Sequence, residues 1–257
     1  METVTSKDGT PLASSVTGDG PTVVIVNGAL SRAVDAQPLA DALAEAGFRA
    51  VVWDRRARGS SGDRRGSTPQ NEVEDLAAVI DAAGGDAVVL GHSSGAVLAL
   101  FAASLGVPVR ALFLSEPPLR FGEGDPVGLA DRLQALVDDG APDEAVVTFQ
   151  LENIGLPREM VEQFRASDQF AEVVPLAQST VYDTRLVEQV SNPTPAMLAP
   201  GVPVTVLRGE QTFPILIASS DRLASEVDGA ELVIVPESVM HRPDPAATAR
   251  VVKERLL

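Results

Sequence analysis

A serine stands between two glycines in Gly91-His92-Ser93-Ser94-Gly95, directly after the apolar run Ala87-Val88-Val89-Leu90 and directly before Ala96-Val97-Leu98-Ala99-Leu100. That order reads as strand, sharp turn and helix, a setting in which a serine hydroxyl serves as nucleophile. The turn is too tight for side chains at its flanks, hence the glycines. It lifts the Ser93 hydroxyl onto a helix N-terminus, where free N–H groups and the helix dipole favour an anion. A hydroxyl is a weak nucleophile until a base takes its proton, and the chain holds two histidines. His92 adjoins Ser93, and its side chain leaves the turn in another direction. His241 closes the loop Pro236-Glu237-Ser238-Val239-Met240-His241, after the apolar run Glu231–Val235 and before a terminal helical pattern. Ser93 and His241 are therefore the expected nucleophile and base.

Positioning them requires a sheet. After a hairpin of Glu2–Ser6 and Pro11–Thr17 about Asp8-Gly9 come Thr22–Val26, Arg49–Trp53, Asp86–Leu90, Val109–Leu114, Pro203–Leu207 and Glu231–Val235, rich in Val, Ile and Leu. Runs without polar alternation suit strands covered on both faces. Helical patterns lie between them at Ala36–Ala46, Asn71–Ala83, Gly95–Ser104, Phe213–Val227 and Pro245–Leu257. The alternation predicts an α/β protein with a doubly wound, mostly parallel sheet. From about Pro118 to Gly201 the rhythm breaks into amphipathic segments, Pro126–Asp139, Asp143–Asn153, Arg158–Ser167 and Phe170–Ser191. This predicts a core of 1–117 and 202–257 with a helical cap inserted at 118–201, Pro193, Pro195 and Pro200 marking the return.

Across nearly its whole length the chain resembles the α/β-hydrolase fold family. Asp54-Arg55-Arg56-Ala57-Arg58-Gly59-Ser60-Ser61 is similar to the family's loop after the fourth strand, with Ala57 in place of a glycine. Asn27-Gly28-Ala29 stands where the family often has His-Gly. The resemblance implies an oxyanion hole made of the backbone N–H groups of Ser94 and of Gly28 or Ala29.

The third member of the triad departs from the usual pattern. Where relatives carry an aspartate after the seventh strand, the chain reads Gly209-Glu210-Gln211-Thr212, with Thr212 in the acid's place. Glu116, after the sixth strand, is the preferred acid, a position shared with members resembling zearalenone lactonases; Glu210 is the alternative. The order Ser93, Glu116, His241 agrees with the family. Asn27, Trp53, Phe121, Phe149, Tyr182 and Met240 are the expected substrate-pocket residues. Phe121, Phe149, Phe164, Phe170, Tyr182, Met160 and Met197 lie in the insertion, where helical spacing makes most of them packing residues and leaves a few to line the acyl or alcohol pocket. The arginines Arg55, Arg56, Arg58, Arg64 and Arg65 read as a solvated, ion-paired loop.

The expected reaction is hydrolysis of small neutral esters or lactones through an acyl-enzyme. Rival readings are cofactor-free perhydrolysis or haloperoxidation, carbon–carbon bond hydrolysis, and a hydrolase-like binding protein without turnover. No metal, nucleotide or other cofactor motif is found. The 257 residues, 45% hydrophobic, suffice for one large domain or a domain carrying an insertion. With 36 acidic against 20 basic residues the net charge is −16, which disfavours nucleic acid and anionic membranes as partners. There is no cysteine, so thiol chemistry is excluded. The N-terminus Met1-Glu2-Thr3-Val4 has no signal pattern, and the longest apolar stretch, Ala87 to Val109, is broken by His92, serines and glycines. The expectation is a cytoplasmic protein, monomer or homodimer.

Overall fold

The computed structural model describes residues 1–122 and 127–257. The strands are β1 (Glu2–Thr5), β2 (Pro11–Thr17), β3 (Thr22–Val26), β4 (Arg49–Trp53), β5 (Ala87–His92), β6 (Ala111–Ser115), β7 (Val204–Arg208) and β8 (Glu231–Ile234). They form one sheet in the order β1-β2-β4-β3-β5-β6-β7-β8. β2 runs antiparallel to both its neighbours, and every other pairing is parallel. The doubly wound α/β sheet expected from the apolar runs is what the chain forms.

The central strands show why their runs lack polar alternation. Val23 and Ile25 point into one hydrophobic cluster with Leu39, Leu43, Phe48 and Val252, while Val24 and Val26 point into another with Leu76, Ile80, Val97 and Leu100. Alternate side chains leave opposite faces of a strand, so a strand covered twice must be apolar throughout. The covering helices are α1 (Gln37–Glu45), α2 (Pro69–Ala82) and α3 (Ser94–Ser104), with two more after β7. Thr68 caps α2, its hydroxyl accepting from the Asn71 N–H, and Pro69 fills the first turn, where an N–H is not needed.

Between β6 and β7 lie α4 (Leu129–Asp138), α5 (Pro142–Thr148), α6 (Arg158–Arg165), α7 (Asp168–Val173), α8 (Ala177–Val190) and α9 (Pro195–Leu198). After β7 come α10 (Pro214–Glu226) and α11 (Pro245–Leu256). The amphipathic segment expected from Pro126 begins outside the described residues, and α4 starts at Leu129. The amphipathic segment Phe170–Ser191 is divided by a 3-10 turn at Val174–Leu176, where Pro175 removes a backbone donor. The segment Asp143–Asn153 passes from α5 into a π-helical turn, Phe149–Ile154, that ends on Gly155 at φ 77°. Leu129, Leu133, Val146, Phe149, Phe170 and Val181 form a third cluster, against which Ala29, Leu30 and Ala57 pack. Those three belong to the loops after β3 and β4, so the inserted helices lie over the carboxyl ends of these strands. No helix among the described residues is long and apolar enough to cross a membrane.

Candidate active site

The loops that leave the carboxyl ends of β3, β5, β6 and β8 meet at one cavity of about 480 Å³. Gly28 and Ala29 come from the first, Ser93 and Ser94 from the second, Pro118 from the third and His241 from the last. Ser93 sits between β5 and α3 at φ 54° and ψ −125°, a strained conformation for an L-residue. The turn is closed on both sides. A side chain at Gly95 would meet the Val26 carbonyl oxygen at 2.1 Å, and one at Gly28 would meet the Ser93 Cβ at 2.8 Å. Bare backbone at these two positions lets the β3 loop lie against the serine. Among the described residues, the backbone N–H groups of Gly28 and Ala29 have no hydrogen-bond acceptor.

His241 Nδ1 and Glu116 Oε2 are 2.5 Å apart. Glu116 Oε2 also accepts from the Thr212 hydroxyl at 2.9 Å, and Oε1 accepts from the Gly209 N–H at 2.8 Å. Burial opposes the Glu116 carboxylate, but the His241 ring and the bonds from Gly209 and Thr212 hold it below the ordinary carboxyl range. Glu210, the alternative acid, is solvent-exposed. Ser93, Glu116 and His241 all have positive φ, at 54°, 48° and 62°, so strain is stored at each of the three positions. Ser93 and His241 line the cavity together, and the described hydrogen bonds do not yet include one between them.

His92 stacks against the His241 ring, with centroids 4.5 Å apart. Burial, and then the neighbouring His241, push its pKa down to about 3, so it is neutral at ordinary pH. His92, Glu116 and His241 also offer ligating atoms within 4.8 Å of one another, the one such group among the described residues that could hold a metal ion.

Of the six side chains expected at the pocket, Phe149 lines the cavity and the other five do not. Asn27 turns its amide to the Arg32 carbonyl at 2.7 Å. Trp53, at the end of β4, is fully buried in the cluster with Leu76 and Val97. Phe121 packs beneath the Arg222 guanidinium, 4.3 Å from its ring centre. Tyr182 is buried and bonds Asp63 at 2.8 Å. Met240, next to His241, is 53% exposed. The walls are instead Pro118, Ile154, Leu156, Met160, Phe213 and Leu216, with Arg120, Asn153 and Asp183 as polar members. Phe149 and Met160 are thus the aromatic and methionine residues of the insertion that line the cavity.

The arginine loop also differs from its expectation. Arg64 and Arg65 are exposed, but Arg55, Arg56 and Arg58 are fully buried. Each has a carboxylate supplied from elsewhere in the fold. Arg55 pairs with Glu72 and Asp183, Arg56 with Asp75 and Asp8, and Arg58 with Asp183. Burial raises the pKa of Glu72 and lowers that of Arg58 to about 10, whereas Arg58 and Arg55 outweigh burial at Asp183 and hold it ionised. Asp183 escaped the sequence reading, although an acid at helical spacing from Val187 and Val190 marks a charge on a buried face.

Residues 23–251 match the family model described as the Alpha/beta hydrolase family. An alpha/beta hydrolase from Sphaerobacter thermophilus DSM 20745 is similar at 37% identity and a TM-score of 0.90, covering 98% of this chain and 99% of that one. A thermophilic esterase from Thermogutta terrifontis, solved with malate bound, is 21% identical with a TM-score of 0.72, over 98% of this chain and 95% of that one. The enol-lactonase of Burkholderia xenovorans LB400 is 18% identical with a TM-score of 0.69, over 98% of each chain. No curated protein matches the sequence.

Proposed function

The chain belongs to the alpha/beta hydrolase family, and from that premise we propose that it is a serine hydrolase of small neutral esters or lactones. The observation that carries this reading is the His241–Glu116 contact at the wall of a cavity that Ser93 also lines. In this reading Glu116 fixes the imidazole with Nδ1 toward the carboxylate, which leaves Nε2 as the basic nitrogen. Nε2 takes the Ser93 proton as Oγ forms a bond to the carbonyl carbon. The tetrahedral oxyanion is held by the N–H groups of Gly28 or Ala29 and Ser94, and it collapses as the ester C–O bond breaks. His241 returns its proton to the leaving alkoxide, and a water activated by the same nitrogen then releases the acid. In a lactone the leaving oxygen stays tethered to the acyl group.

The segment 118–201 acts in this proposal as a cap that supplies most of the substrate walls. Those walls are mostly apolar, with Arg120, Asn153 and Asp183 as polar exceptions, which suits neutral acyl and alcohol groups. The similar thermophilic esterase and enol-lactonase support the same class. A fluorophosphonate probe should label folded protein at Ser93 with one-to-one stoichiometry, and a panel of p-nitrophenyl esters and lactones should show turnover abolished in Ser93→Ala. Absence of labelling in folded protein sinks the reading.

A further inference from the structure

We propose that Arg55 and Arg58, joined by Asp183 of α8, are positioning residues that aim the oxyanion-hole donors. The inference rests on the acyl-transfer reading and adds to it a device outside the triad.

The argument starts from the peptide plane. In a trans peptide the carbonyl of one residue and the N–H of the next point in opposite directions, and the chain contains no cis peptide among the described residues. Arg55 Nη1 donates to the Asn27 carbonyl at 3.1 Å, and Arg58 Nη1 donates to the Gly28 carbonyl. Holding those two carbonyls on the buried side turns the N–H groups of Gly28 and Ala29 the other way. Both residues line the cavity, and both N–H groups are without an acceptor among the described residues. A cation on the carbonyl oxygen also polarises the peptide unit, which strengthens its N–H as a donor.

The third donor is tied to the same cluster. The Ser94 hydroxyl donates to Asp183 Oδ1 at 2.7 Å and accepts from Arg55 Nη1 at 3.2 Å. Asp183 closes the arrangement, its Oδ1 taking Arg55 at 2.9 Å and its Oδ2 taking Arg58 at 2.6 Å. All three charged side chains are about 1% exposed, so water cannot substitute for any partner. Asp183 belongs to the helices inserted between β6 and β7, whereas both arginines belong to the loop after β4. Donor geometry therefore depends on the insertion being docked on the sheet.

The test uses the full chain carrying Asp183→Asn or Arg58→Lys. Asparagine keeps the shape and loses the charge; lysine keeps the charge and cannot reach both Gly28 and Asp183. Three quantities are measured: kcat and KM on p-nitrophenyl butyrate, and Ki for phenylboronic acid, whose tetrahedral adduct with Ser93 needs the hole. A residue that aims oxyanion donors should cost about 100-fold in kcat when changed, with KM within about threefold. The boronate Ki should rise by a similar factor. A purely structural role would lower the melting temperature without this split. If neither variant folds, Ser94→Ala, which removes one hydroxyl and no charge, decides the matter through an expected kcat loss of about tenfold. Folded variants with kcat within twofold of the parent, or a rise in KM alone, overturn the inference. Fluorophosphonate labelling of the parent at Ser93 separates the two levels. Labelled parent with unaffected variants removes only the positioning role, and unlabelled parent removes acyl transfer and this inference together.

Discussion

Glu116 Oε2 and His241 Nδ1 stand 2.5 Å apart across 125 residues of chain, and the Thr212 hydroxyl donates to the same oxygen. Thr212, which stands where the family resemblance would place an acid, therefore contacts the carboxylate that faces His241. A carboxylate on Nδ1 selects the tautomer with a basic Nε2 and stabilises the imidazolium that forms. Glu116→Gln should keep the fold and lose about 10³- to 10⁴-fold in kcat. Glu210 is exposed, so Glu210→Gln should stay within about twofold. Steady-state kinetics on one chromogenic ester checks both, and an inactive Glu210→Gln beside an active Glu116→Gln would reverse the assignment.

Thr212 holds the carboxylate in place by one hydrogen bond of 2.9 Å. A bond to a charged group contributes about 1.5–3 kcal/mol, and part of that is recovered through Gly209, which grips the other oxygen. Thr212→Val should therefore cost about tenfold in kcat, with little change in KM. Thr212→Asp should not improve on the parent, because a second carboxylate beside Glu116 raises a pKa by like-charge repulsion. A pH–rate profile of Thr212→Asp should show its acid limb displaced upward, and an unmoved limb refutes the argument.

Much of this site can be read from the chain because its signals are local. Gly91 to Gly95 carries strand, turn and helix within a few residues, and the runs at Thr22–Val26 and Arg49–Trp53 coincide with β3 and β4. The chain offers carboxylates in two loops, at Glu116 and Glu210, and the fold places Glu116 against His241. The pocket was largely illegible. Ile154 and Leu156 reach the cavity from the π-helical turn and its exit, and Phe213 from the start of α10, so their grouping depends on packing across the sheet edge. The burial of the arginines is hidden from the sequence for the same reason. Arg55 finds Glu72 at a separation of 17 residues and Asp183 at 128, and no local pattern announces either.

The strain at Ser93 yields a stability prediction. At φ 54° and ψ −125° a Cβ is disfavoured and glycine is not. Ser93→Gly should be inactive yet more stable than the parent by about 1 kcal/mol, raising the melting temperature by about 2–4 °C. Ser93→Ala keeps the Cβ and should melt close to the parent. Calorimetry on the three proteins checks this, and a glycine variant no more stable than the alanine one refutes it.

His92 gives the protein a predicted sensitivity to acid. Burial beside His241 takes its pKa from 6.5 to about 3 in the folded state, while the unfolded chain titrates near 6.5. Between those values the unfolded state binds one more proton than the folded state. Stability therefore rises with pH through this window and is lost as pH falls through it. Between pH 7.5 and 5 the loss from this group is about 2 kcal/mol. His92→Gln cannot titrate, so its stability should fall less over the same interval. Glu116, held below its ordinary range, remains ionised at pH 5 and adds its own loss only at lower pH. Urea unfolding of the parent and His92→Gln at pH 7.5, 6 and 5 measures the difference. Parallel stability profiles for the two proteins would show that the folded state does not hold His92 neutral, and would rule out this source of acid sensitivity.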